Sequence, residues 1–248
     1  MEFDSDGVRL HYELHGPEDG PPVLLVHGFA SDYQLNWVGT RWQETLVGAN
    51  YRVIGLDCRG HGRSDKPHDP AAYAIGVLAA DVRRLLDELR IVSVRYVGYS
   101  MGARIGLQSA LDFPDRVHRA VLGGLGAFGR VEDAEAIARA LRGGKPETAA
   151  ALSFQRFAAA RPTNDLEALA ACMEALGRTA RVNRQQLAAI WTPILLVAGD
   201  RDDIAPNAPK LAGEIPSARL VMIPGRDHLS TVPARPFKDA ALEFLAGA

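Results

Sequence analysis

The sequence predicts an α/β protein: a mostly parallel, doubly wound sheet with a helical block inserted into it. Three observations carry this. Short, nearly unbroken apolar runs recur at 23–26, 52–56, 94–98, 119–122, 194–198 and 219–223, as in strands buried on both faces. Helical patterns lie between them. The alternation lapses between about Phe128 and Ala188 and resumes at Ile194.

Each element follows from its spacing. Val8, Leu10, Tyr12 and Leu14 alternate with polar residues, which predicts an early half-buried strand. Leu78, Val82, Leu85, Leu86 and Leu89 fall on one face of a helix, and 101–112 and 236–246 also read as helices. In the lapse, Leu166, Leu169, Met173 and Leu176 share a helical face, with Thr163 or Asn164 as N-cap and Gly177 as stop. Leu152, Phe154 and Phe157 suggest another helix. The expected organisation is a core of residues 1–127 and 189–248 with a helical cap over 128–188; ordinary packing helices are the plainer alternative.

Composition excludes several classes. The chain has 248 residues, 47% of them hydrophobic. At this size about 70% of the surface can be buried, leaving roughly 11,000 Å² exposed, so no disulfide or metal is needed to build a core. The net charge of -2, from 28 basic and 30 acidic residues, leaves no basic excess for a nucleic-acid backbone. Apolar runs such as Val23–Val26 and Ile194–Ala198 fall far short of the ~20 residues that span a bilayer, so no membrane association is expected. Met1–Asp6 is acidic and does not read as a signal peptide. Cys58 and Cys172 are too few for a disulfide scaffold, and a reducing cytoplasm is the simplest compartment. No metal-ligand spacing such as C-x-x-C or H-E-x-x-H occurs.

The chemistry centres on Gly98-Tyr99-Ser100-Met101-Gly102, a G-x-S-x-G between an apolar strand and an apolar-faced helix. A serine on such a turn is lifted clear of the sheet, and the glycines allow the close backbone packing the turn demands. Serine needs an adjacent base, and in this strand–turn–helix arrangement an acid and then a histidine follow it along the chain. Of seven histidines only His118 and His228 follow Ser100. His118 precedes any plausible acid and begins a strand, so His228, in the loop after the last apolar run, is the expected base. The acid is expected in Gly199–Pro206: Asp202 first, Asp203 as the alternative, with Asp200 ordering the turn. The backbone N–H groups of Phe29 and Met101 are the expected oxyanion donors. His27 is expected to pack under that loop, and Asp57 and Arg59 to hold loops together beside the site.

With these residues in view, the chain resembles the α/β-hydrolase superfamily, of the prolyl-aminopeptidase, esterase and haloperoxidase-like kind. The resemblance rests on His27-Gly28-Phe29, on Asp57–Ser64 (D-x-R-G-x-G-x-S), on Gly98–Gly102, on Gly199–Pro206 (G-x-x-D-x-x-x-P) and on Pro224–His228. It implies the α/β-hydrolase fold, no cofactor, and catalytic roles for Ser100, Asp202 and His228. The family usually has Gly before the last histidine; here Asp227 stands there and can compete for local hydrogen bonds. Epoxide hydrolases and haloalkane dehalogenases resemble this fold but carry Asp at the elbow, so Ser100 argues against both. The resemblance implies acyl transfer on a small-molecule ester, with an enol-lactone or carbon–carbon hydrolase as alternative; either alternative would need Arg139, Arg142, Arg156 or Arg161 turned inward. A receptor on the same fold would show a damaged triad, whereas every part is present here. Phe128, Phe154 and Phe157 are candidate pocket lining, with Leu152 and Met173, although residues at such spacing are more often core. Oligomeric state is not legible.

Overall fold

The computed structural model describes residues 1–126, 128–129, 131–180 and 182–247. Its strands are β1 (Glu2–Asp4), β2 (Arg9–His15), β3 (Pro22–Val26), β4 (Arg52–Leu56), β5 (Val94–Tyr99), β6 (Val117–Gly123), β7 (Ile194–Gly199) and β8 (Ala218–Ile223). Its helices are α1 (Trp42–Gly48), α2 (Ile75–Glu88), α3 (Met101–Asp112), α4 (Ala134–Leu141), α5 (Ala149–Ala159), α6 (Leu166–Gly177), α7 (Arg184–Ala188), α8 (Ala208–Glu214), α9 (His228–Thr231) and α10 (Arg235–Ala246). The strands form one sheet in the order β1-β2-β4-β3-β5-β6-β7-β8. β1 and β2 pair antiparallel, and β2 joins β4 antiparallel; every other pairing is parallel. All six apolar runs lie in strands. β1 is too short for a period to be read from it.

The double winding follows from the period of two along each strand. Val23 and Leu25 face one side with Val53, Val97 and Val121, where Trp37, Trp42, Leu46 and Phe237 complete a core. Leu24 and Val26 face the other with Ile54, Leu56 and Tyr96, under Leu78, Val82, Leu85 and Leu86 of α2. Thus α1 and α10 cover one face, and α2 covers the other. The exposed surface is 10965 Å², close to the value the chain length implies.

α4 to α7 lie between β6 and β7, where the alternation lapses. α4 packs on α5 and α6, and α6 rests on the 3-10 turn Pro70–Tyr73. Polar contacts fasten this insertion to the loop after β3. Arg161 pairs with Asp32, and Asn164 Nδ2 donates to Ala30 O at 3.3 Å. The N-cap of α6 is Asp165, not Thr163 or Asn164: its Oδ1 accepts from the N–H groups of Glu167 and Ala168, both at 3.0 Å. Asn164 is engaged elsewhere, through Ala30 and Ala158. Below the loop, Arg59 forms a buried bidentate pair with Asp81, Nε–Oδ2 2.7 Å and Nη2–Oδ1 2.6 Å. Among the described residues, no helix is long and apolar enough to cross a membrane.

Candidate active site

The site collects at the C-terminal ends of β3, β5, β7 and β8, where open parallel sheets place their ligands. Ser100 links β5 to α3 with φ 54° and ψ −108°, a strained conformation for a residue with a side chain. The turn closes only because its flanks are glycine. A Cβ on Gly102 would sit 2.0 Å from Val26 O, and one on Gly98 2.4 Å from Gly102 O. Both obstacles are backbone, so neither can swing aside. Gly102→Ala is expected to destabilise the fold by about 3 kcal/mol or more, read as a fall in the urea midpoint.

His228 begins α9. Its Nδ1 lies 2.8 Å from Asp202 Oδ2 and 3.0 Å from Oδ1. Asp202 is buried, and its Oδ1 also accepts from the N–H groups of Ile204 (3.0 Å) and Ala205 (2.9 Å). Asp203 is exposed. Asp200 accepts from Gly225 N–H at 2.6 Å, ordering the neighbouring turn. Asp227 does not compete for the imidazole. Its Oδ1 caps α9, accepting from the N–H groups of Leu229 (3.1 Å) and Ser230 (2.7 Å), and these bonds hold its pKa below the usual carboxylate range. Tyr99 donates its hydroxyl to His228 O at 2.5 Å, which fixes the backbone that carries the imidazole. His118 is exposed on β6, at the strand's N-terminal end. Among the described hydrogen bonds none joins Ser100 Oγ to His228; such contacts often tighten only around substrate.

Among the described hydrogen bonds, the N–H groups of Phe29 and Met101 donate in none. The Phe29 loop is held from several sides. Asn36 Oδ1 accepts from Gly28 N–H at 3.0 Å. His27 Nε2 accepts from Cys58 N–H at 3.0 Å, so its Nδ1–H donates to Gly28 O at 2.8 Å. Asp57 accepts from the N–H groups of Tyr33 (2.8 Å) and Arg63 (2.9 Å).

Two buried imidazoles lie under this loop, His27 and His61, with ring centres 5.1 Å apart. Burial lowers the pKa of both, and pushes His61 down to about 3. In the unfolded chain a histidine takes its proton near pH 6.5. Below that pH the unfolded state binds more protons, so stability is lost as pH falls from about 6.5 towards 3. The loss reaches about 1.4 kcal/mol per pH unit for each such group. Urea midpoints at pH 7, 5.5 and 4 are expected to fall less steeply in His61→Gln than in the wild type.

A cavity of about 330 Å³ opens over Ser100 and His228, walled by Gly28, Phe29, Phe154, Phe157 and Val232. Phe154 and Phe157, two of the candidate lining residues, are in its wall. Phe128 is not. The chain has only just left β6 there, and the ring packs into the main core cluster with Leu125 and Ile137. Met173 is likewise in that core, and Leu152 is absent from the wall. Sequence reasoning missed Leu35, Asn36, Ile204 and Leu229, which also line the cavity. For Leu35, Ile204 and Leu229 the available signal was an apolar residue close to a polar stretch that carries a site residue. Among the described residues, no lysine or arginine lines the cavity. Arg139 pairs with Glu147, Arg142 with Glu167 and Glu174, Arg161 with Asp32, and Arg156 is exposed.

A model of the alpha/beta hydrolase fold family matches residues 21–164. The chain belongs to the α/β-hydrolase family. This α/β-hydrolase is 31% identical over 219 residues to 3-oxoadipate enol-lactonase 2 of Acinetobacter baylyi (strain ATCC 33305 / BD413 / ADP1), covering 81% of this chain and 78% of that protein. RutD of Variovorax paradoxus (strain S110) is 42% identical over 118 residues, 46% of this chain and 42% of its own. The chain spans well under half the length of the curated relatives it matches first, 42%, 41% and 33%. Epoxide hydrolases match over similarly partial stretches. A hydrolase from Pseudomonas aeruginosa PA01 shares the whole fold, with TM-score 0.85, 29% identity, and coverage of 100% of this chain and 98% of that one.

Proposed function

We propose that this α/β-hydrolase cleaves carboxylic esters, open-chain or cyclic, that carry an uncharged apolar acyl group, through an acyl-enzyme on Ser100. The carrying observation is the joint presence in one cavity of a strained serine and a histidine whose Nδ1 holds a buried carboxylate. In this reading Ser100 Oγ attacks the ester carbon while His228 Nε2 takes its proton. Asp202 stabilises the imidazolium, and the N–H groups of Phe29 and Met101 receive the oxyanion. The alcohol leaves with the proton from His228. Water then repeats the sequence and releases the acid.

The lining supports a neutral substrate. A lactone formed from a dicarboxylic acid keeps one free carboxylate, and among the described residues no lysine or arginine lines the cavity to meet it. This argues against the reading that needs an inward arginine. The similarity to an enol-lactonase over most of the chain supports keeping cyclic esters within the class. An epoxide hydrolase would require an aspartate where Ser100 stands. In this reading 128–188 is a cap that walls the cavity through Phe154 and Phe157, and the two free cysteines fit a reducing cytoplasm.

The test is a panel of p-nitrophenyl esters and neutral lactones beside their carboxylate-bearing analogues. Neutral substrates are expected to be hydrolysed with the higher kcat/KM. Preference for the anionic members would overturn the neutral assignment.

A further inference from the structure

Among the described residues, seven large apolar side chains are exposed, and three of them line this one cavity: Leu35 at 40%, Ile204 at 54% and Leu229 at 61%. They come from chain-distant places: a π-helical turn over Gln34–Val38, the loop after β7, and α9. A single exposed leucine is ordinary; three converging on one opening form a patch that marks a contact. The wall is graded. Phe29 and Val232, each 7% exposed, form the inner surface, Phe154 and Phe157 are half-buried, and the three aliphatic residues form the rim. The cavity of about 330 Å³ is at the small end for a ligand pocket, which runs from about 300 to 1,000 Å³. It accommodates the reacting ester and a short chain, and a longer chain must leave across the rim.

We infer that the rim continues the substrate site: the ester's apolar chain runs out of the cavity across Leu35, Ile204 and Leu229, so that medium-chain esters are preferred to short ones. This rests on the ester-hydrolase reading above. Two features favour the substrate's own chain over a lipid surface or a second copy. The patch is continuous with the cavity over Ser100, and among the described residues its lining offers no lysine or arginine for anionic headgroups. Two of the three residues also adjoin the proposed machinery. The N–H of Ile204 donates to Asp202, and Leu229 follows His228. Replacing their side chains leaves those backbone contacts in place.

The experiment measures kcat/KM for p-nitrophenyl butyrate, hexanoate and octanoate, each below its critical micelle concentration. The wild type is compared with the triple variant L35S/I204S/L229S. In the wild type kcat/KM is expected to rise along the series, by up to about fourfold for each methylene that is fully covered. In the triple variant the octanoate-to-butyrate ratio is expected to fall by about tenfold. Should the triple variant melt early, Ile204→Ser alone is expected to lower the ratio by a part of that. An unchanged ratio in a folded variant overturns the inference and leaves the ester reading standing. A chain-length preference that appears only above the micelle threshold assigns the rim to a lipid aggregate instead. A preference that follows protein concentration, with a dimer in sedimentation, assigns it to a second copy. Failure of the ester reading looks different: no ester of any length is turned over by the folded wild type, or Ser100→Ala retains full activity.

Discussion

Replacing Ser100 with alanine is expected to lower kcat for ester hydrolysis by about a millionfold while leaving the melting temperature unchanged. The size follows from the way such groups act as a unit. Without the nucleophile, histidine and carboxylate have nothing to activate but water, and only the oxyanion donors and substrate binding still accelerate the reaction. Neither cysteine can take over as nucleophile. Both cysteines are fully buried, and burial raises their thiol pKa values, so neither presents a thiolate. The fold should be indifferent, because alanine keeps the Cβ that already tolerates φ 54° and because Ser100 Oγ makes no described hydrogen bond. The checks are steady-state kcat, a thermal melt, and covalent labelling by a fluorophosphonate read as a mass shift. The label is expected on wild type alone. Retained turnover in a folded Ser100→Ala would remove Ser100 from the mechanism.

The second large effect is expected at Asp202. Asp202→Asn should cost about 10⁴-fold in kcat, whereas Asp203→Asn should change it less than about twofold. The geometry explains why an isosteric change is so costly. Oδ1 of residue 202 receives two backbone N–H groups, from Ile204 and Ala205, so an asparagine must keep its oxygen there. Its NH₂ then occupies the place of Oδ2, 2.8 Å from His228 Nδ1 in the wild type. That donor forces Nδ1 to accept and Nε2 to carry the proton. A ring protonated at Nε2 cannot take the serine proton. Asp203 is exposed and holds no such bonds, so its substitution is the control. Comparable losses at the two positions would mean that the Asp202–His228 pair is not the catalytic one.

How much was legible beforehand depended on how local the cause was. The central strands were legible because burial on both faces permits almost only apolar residues, and that leaves continuous runs such as Val23–Val26. The elbow was legible because its backbone contacts are made within a few residues or with one neighbouring strand, and only glycine fits at 98 and 102. The cap of α6 was misread by one or two residues. Asn164 is a competent N-cap, but its side chain is recruited by Ala30 O in the loop after β3, and Asp165 takes the role.

By itself, then, the sequence determined the strand–helix alternation, the lapse that becomes α4–α7, and which serine, carboxylates and histidine could act together. Those properties rest on short-range spacing and on residue types with few substitutes. The tertiary structure decided which carboxylate of the Asp202–Asp203 pair turns inward, because a turn two residues long buries one side chain and exposes the next. It decided that Phe154 and Phe157 face the cavity while Phe128 packs into the core, because the rotation of a helix on its neighbours is not written in its own period. It also brought Leu35, Ile204 and Leu229 to one opening: three segments far apart in sequence meet only because parallel strands deliver their C-terminal ends to the same edge of the sheet.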